Sequence, residues 1–226
     1  METKIYYHFL SSEHAIENLK RKRRKVTTID NDINDPFELM PYRRYEFEKR
    51  QQYIQVFKSV AQKWGILCFS QTWQEPLLWA HYADNHKGIA LGYEMPEGGL
   101  KKVDYVSNPI RTEIELSHDQ DENERNLLEL AGVKYEGWKY EEEHRLLVPL
   151  KDCPQENGLY FIPLGDNLKI RNIILGCRFD HDEKNNVEEI KELAMGLGAD
   201  VIATRPEWQG YRIQKCGTKT ALYCKD

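Results

Sequence analysis

The chain has 226 residues, 40% hydrophobic and 11% aromatic, enough to bury a real core in one large domain or two small ones. Its net charge of -5 and mean hydropathy of -0.72 describe a strongly polar chain, and no stretch approaches the roughly 20 apolar residues of a membrane helix, which excludes a helical membrane protein. Five scattered cysteines (Cys68, Cys153, Cys177, Cys216 and Cys224) with no C-x-x-C pair, and a start (METKIYYHFL) without the marks of a signal peptide, lead us to expect free thiols and a cytoplasmic location.

In chain order, KIYYHFL (4–10) is rich in β-formers and predicts a strand, and Ser11 or Ser12 then caps a helix through about Lys22. KVTTID follows as a short strand. In NDPFE (34–38), Asp35 reads as an N-cap, Pro36 as the first helical residue and Glu38 as the capping-box partner. A long helix is expected from there to about Trp64, with a break near Pro41 and its end at Gly65. ILCFSQT (66–72) predicts a strand, EPLLWAHYAD a short helix opened by Pro76, and GIALGYEM (88–95) a strand. KKVDYVS (101–107) alternates like the second arm of a hairpin.

Residues 108–126 are polar and acidic and predict a solvated insertion, or the start of an exposed helix reaching Ala131. Beyond it, WKYEEEHRLLVPL (138–150) turns from a charged knot into an apolar strand. GLYFIPL, LKIRNIILGC and DVIATRPE read as strands, with an amphipathic helix at about 183–197, and YRIQKCGTKTALYC as a closing strand. No repeat or low-complexity linker divides the chain, so residues 1–226 read as one domain. Strands cluster beside one another more than they alternate with helices, which predicts a mixed α+β fold, mostly antiparallel, with flanking helices.

Several chemistries fail on spacing. His81 and His86 are five apart, about 140 degrees around a helix, and there is no H-E-x-x-H, so no metal site is expected. DNDIND (30–35) starts like a calcium loop but has Asp35 and Pro41 where such a loop needs Gly and Glu. Neither a Gly-x-Ser-x-Gly elbow nor a phosphate-binding loop is present. The run KRKRRK (20–25) could meet nucleic-acid or nucleotide phosphates, but it also sits at a predicted helix C-terminus, where the dipole favours cations.

WKYEEEHR carries more chemistry. In an extended chain Glu141 and Glu143 share a side with Arg145, and a glutamate there could bond a ribose hydroxyl and stabilise an oxocarbenium-like centre; a plain salt bridge to Arg145 is the alternative. In LLWAHYADNHKGIALGYE (77–94), helical spacing assigns Leu78 and Trp79 to packing, puts His86 on the Trp79 face, and leaves His81 and Tyr82 to meet a ligand.

IYYHF with its following helix, NDPFE, CFSQTWQEPLLWAHYADNHKGIALGYE, VDYV, the Lys134 to Trp138 spacing, WKYEEEHR and NIILGCRF together resemble a bacterial family known as domain of unknown function 2971, over roughly residues 4–180. That family's name assigns no activity. The order of features also resembles ADP-ribosyltransferases, whose split β-sheet cleft holds NAD. The resemblance implies that His8 anchors the dinucleotide, Ser70 is the strand-end serine, Tyr82 packs on nicotinamide, and Glu143 or Glu141 is the catalytic carboxylate, with His81 and Arg145 beside them. A single Ser70 stands where those enzymes carry a Ser-Thr-Ser run. The implied function is NAD-dependent ADP-ribosyl transfer or NAD glycohydrolysis, in a defence or toxin-like context such as phage defence, with NAD as substrate and no tightly bound cofactor. The alternative is a non-catalytic nucleotide or nucleic-acid binding module using the same cleft, residues 20–25, Arg43, Arg44 and stacking aromatics.

Overall fold

The computed structural model describes residues 2–29, 33–39, 47–109, 116–117 and 119–216. The predicted Pro41 break, Arg43, Arg44 and Cys224 lie outside them. The described fold is mixed α+β with a mostly antiparallel sheet.

The chain opens with β1 (Thr3–Leu10), α1 (Ser12–Lys20) and β2 (Arg23–Thr28). Ser11 caps α1 as expected, its hydroxyl accepting from the His14 amide. The predicted helix start at Asp35 is not formed. Asp35 does accept locally, from the Phe37 amide at 2.9 Å, but the chain makes a turn there and Leu39 takes a positive φ of 57°. The reason lies far away in sequence: the Glu38 side chain, expected to cap its own helix, is drawn inward to Arg145.

The next helix, α2 (Phe47–Ala61), leads into β3 (Trp64–Ser70). Gly65 does not end the helix but lies within β3, where a Cβ would stand 2.3 Å from a Val26 methyl, so only glycine allows β2 this close. Then come α3 (Pro76–Tyr82), with Pro76 in its first turn and Glu75 as its cap, and β4 (Ile89–Pro96). The predicted hairpin of 101–107 with β4 is absent. Lys101–Lys102 (β5) pairs with a later strand, and Asp104–Val106 (β6) runs parallel to β7 (Val133–Tyr135).

Within the polar segment, Asp119 caps α4 (Gln120–Leu130). A 3₁₀ turn over Glu136–Glu141 precedes β8 (Glu143–Pro149), so the knot is not extended throughout: Glu142 adopts φ 44° and the backbone reverses there. The remainder is β9 (Gln155–Glu156), β10 (Leu159–Pro163), β11 (Lys169–Leu175), α5 (Val187–Leu197), β12 (Asp200–Pro206) and β13 (Ile213–Lys215).

The main sheet runs β13-β12-β11-β4-β1-β3-β2-β10-β9, with β8 on the other edge of β3 and β5 beyond it. Among the described residues only β11 and β12 pair in parallel within it. Alternation along the strands sends side chains to two faces. On one face Leu67, Phe69, Leu91 and Tyr93 pack with α1 and α5. On the other, α2 and α4 gather around Ile66, and α3 seats Leu78 and Trp79 against Phe9 and Ala90. Burying a side chain of this size stabilises by about 1.5–3 kcal/mol, which fixes α3 on the sheet. No helix among the described residues is long and apolar enough to cross a membrane.

The centre of the sheet opens. Along its whole length β3 pairs with β8, but its other edge meets β2 only at Gly65 and Ile66 and β1 only at Ser70. Between those points the Cys68 carbonyl has no strand partner. Two side chains take that role: His8 Nδ1 at 3.1 Å and Arg24 Nη2 at 2.9 Å.

Candidate active site

Over this opening, on the face shared by α2, α3 and α4, lies a cavity of about 450 Å³, within the range of roughly 300–1,000 Å³ of small-molecule sites. His8, Ser70, His81, Tyr82, Glu141, Glu143 and Arg145 all line it. The fold therefore brings together these seven residues singled out from the sequence, from β1, β3, α3, the 3₁₀ turn and β8. Ser70 and Glu143 are directly opposed on paired strands, and Tyr7 opposes Ser70 across the other edge.

The floor is a buried ion cluster. Arg145 holds Glu143 through Nε at 2.8 Å and Nη2 at 2.9 Å, and Glu38 through Nη1 at 2.6 Å and Nη2 at 3.0 Å. Its Nη1 also donates to the Ala131 carbonyl at 2.8 Å. Lys134 donates to Glu141 at 2.6 Å and to Glu143 at 3.0 Å. Three carboxylates thus face two cations, leaving one negative charge in excess when all are ionised.

The surroundings separate the two glutamates. Burial would raise the Glu143 carboxyl, but Arg145 and then Lys134 outweigh it and hold its pKa down at about 2, with the Cys68 thiol also donating to it. Glu143 is therefore a permanent anion near neutrality. For Glu141, burial and the neighbouring Glu143 raise the pKa against the pull of Lys134. Tyr82 donates its hydroxyl to Glu141 at 2.6 Å, and Asn34 donates to the Tyr82 oxygen at 3.1 Å. Burial, then Glu141, push the Tyr82 phenol well up, so it remains a neutral donor. Tyr105 accepts from the Glu143 amide at 2.8 Å, and its phenol is pushed up by burial to about 12.

His8 is neutral. Burial, and then the Arg24 charge, lower its pKa well below the usual histidine value. Because Nδ1 faces a carbonyl it carries the proton, so Nε2 is left as an acceptor. Ser70 Oγ accepts from the Thr72 amide at 3.2 Å, which leaves its hydroxyl proton free to be donated.

Lys134, Glu38, Tyr105 and Asn34 belong to the site but were not singled out as functional. Lys134 was traceable: three adjacent glutamates of which two converge need a cation, and Lys134 is seven positions before Glu141. Glu38 carried a competing local explanation as a cap. His86 is not on the Trp79 helix face, because α3 ends at Tyr82 and Asp84, Asn85 and His86 form a left-handed turn with positive φ. Trp79 is fully buried as expected, its ring edge-on to Phe9 at 5.1 Å.

The basic run lines none of this cavity. Lys20 pairs with Glu189, Arg21 with Glu17 and Glu156, and Arg23 with Glu156, while Arg24 is 1% exposed and turned into the core against Phe69 and Tyr93. Lys20, Arg21 and Arg23 are thus paired with the fold's own carboxylates, and Arg24 packs on aromatic rings inside the core. Among the described residues no group of three or more His, Cys, Asp or Glu side chains is arranged to hold a metal ion. No protein-family model, no curated protein and no solved structure matches the chain.

Proposed function

We propose that the cavity binds NAD and that the chain breaks its nicotinamide-ribose bond, passing ADP-ribose to water or to a nucleic-acid or protein acceptor. The observation that carries this reading is the convergence of His8, Ser70, Tyr82, Glu141 and Glu143, spread over 136 positions of sequence, on one cavity at an opening in the sheet. A further support is that an opening in the sheet is a feature the resemblance to ADP-ribosyltransferases leads one to expect.

The chemistry follows from the charges. When the carbon-nitrogen bond breaks, its electron pair goes to the pyridinium nitrogen and positive charge develops on the ribose. The permanently ionised Glu143 and the net negative floor stabilise that charge. His8 Nε2 accepts from a ribose hydroxyl and the Tyr82 ring packs on nicotinamide. Glu141, whose pKa is raised by burial, accepts the proton that the attacking water or hydroxyl loses.

The test is nicotinamide release and ADP-ribose labelling by the purified chain, with Glu143→Gln beside it. Loss of a preorganised electrostatic group costs about 100-fold to 1000-fold in rate. Activity that persists in Glu143→Gln would remove Glu143 from the mechanism. One observation favours the second reading, a binding module without chemistry: Glu143 is already paired with both Arg145 and Lys134, as a structural carboxylate would be. On that reading NAD binds and is not consumed, and Glu143→Gln leaves the affinity unchanged.

A further inference from the structure

A second group of rings gathers beside the cavity. His81 of α3 faces Trp138 and Tyr140 of the 3₁₀ turn, with ring centroids 6.4 Å and 6.1 Å away, and Trp138 and Tyr140 are 6.2 Å apart. Trp138 and Tyr140 are half-buried and His81 is exposed. Leu77, one turn before His81 on α3, leaves 46% of its surface in solvent. Among the described residues the rings around Trp138 are tilted or edge-on, and none lies parallel to it.

This group is continuous with the chemistry below it. His81 itself lines the cavity. Lys134 Nζ, which joins Glu141 to Glu143, lies 5.1 Å from the Trp138 ring centroid, so one cation serves both the acid floor and the aromatic rim.

We infer that Trp138, Tyr140 and His81 form a stacking platform for a purine base: the second base of a dinucleotide whose nicotinamide half fills the cavity. This rests on the NAD reading above. His81 both lines the cavity and faces Trp138 and Tyr140, so the half of a dinucleotide that extends past His81 meets these rings. Every base offers a π-face, and stacking on an aromatic side chain is worth about 1–3 kcal/mol per base.

Titration calorimetry with NAD, AMP and nicotinamide mononucleotide tests the platform on the wild-type chain, Trp138→Ala and Trp138→Phe. Trp138→Ala is expected to weaken NAD and AMP roughly 5-fold to 150-fold. Nicotinamide mononucleotide, which lacks the outer base, should be unaffected, and Trp138→Phe should retain most of the affinity. Unchanged NAD affinity in Trp138→Ala overturns the platform, as does an equal loss for nicotinamide mononucleotide, which marks a structural role. AMP binding that depends on Trp138 without NAD turnover keeps the platform and rejects the glycosyl-transfer reading. NAD turnover with an unchanged KM in Trp138→Ala does the reverse, and a wild-type chain that binds neither NAD nor AMP rejects both.

Discussion

Arg145 and Glu38, 107 positions apart in sequence, meet through two parallel hydrogen bonds in a site where each side chain is almost fully buried. The same guanidinium grips Glu143, so one cation organises the turn at 33–39, the start of β8 and the floor of the cavity. Arg145→Met should therefore cost about 3–5 kcal/mol, because it leaves buried carboxylates without a partner. Arg145→Lys should recover only part of this, since an ammonium cannot present the planar fork that holds two carboxylates at once. Urea melts of the three chains, read as midpoints at constant slope, measure both effects. Equal stability of Arg145→Met and wild type would mean that the cluster does not hold the fold.

Acid should loosen the same cluster. Glu143 has its pKa depressed from the ordinary 4.5 to about 2, so its contribution is complete above about pH 4.5 and is lost as pH falls toward 2. His8 acts in the same direction at higher pH: held neutral when folded, it binds its proton more readily unfolded, and stability declines as pH drops below 6.5. Glu141 opposes both, because its raised pKa makes the folded chain the better proton binder above 4.5. Chemical denaturation between pH 7 and 3 should show falling stability, and Glu143→Gln should flatten the lower part of that curve.

Short-range signals located most elements. Ser11 capping α1, Pro76 opening α3 and the runs of β-forming and apolar residues in β1, β4 and β11 each depend on neighbours within a few residues. NDPFE failed for the opposite reason. Its capping-box pattern is locally sound, but the Glu38 carboxylate is worth more against a buried guanidinium than against its own backbone, and that partner cannot be read from the segment. The Lys101–Lys102 and Asp104–Val106 pairings were hidden likewise, since Lys101 lies opposite Arg145 and Asp104 opposite Val133, with α4 intervening in sequence. Site residues were legible as an ordered set because they sit at strand ends and on one short helix. Lys134 was traceable from the glutamates that need a cation, whereas Tyr105, which accepts from the Glu143 amide, shows itself only once β6 is brought beside the start of β8.

Among the described residues buried Arg24 has no carboxylate partner, and its Nε and Nη1 make no hydrogen bond. Its Nη2 fixes the Cys68 carbonyl, and its charge is the second cause, after burial, of the low His8 pKa. Arg24→Met should accordingly move the His8 titration upward, toward 6.5, with burial keeping it below that value. Imidazole nitrogen shifts followed against pH by NMR read both quantities, the pKa and the tautomer. A His8 that titrates identically in the two chains would show that Arg24 acts on the backbone alone.

Tyr82 has two separable parts, and substitution can divide them. Its hydroxyl donates to Glu141 and accepts from Asn34, and the residue lines the cavity. Tyr82→Phe removes the hydroxyl only. A hydrogen bond to a charged group contributes about 1.5–3 kcal/mol, so a stability loss of that order is expected, and the Glu141 pKa should rise further because the donor that favoured its anion is gone. If the ring packs on nicotinamide, Tyr82→Phe keeps most of the NAD affinity while Tyr82→Ala loses it. If the hydroxyl instead serves the proton transfer through Glu141, Tyr82→Phe lowers kcat with little change in KM. Steady-state kinetics on the two variants tell these contributions apart, and a Tyr82→Ala chain with wild-type kinetics would remove Tyr82 from the site altogether.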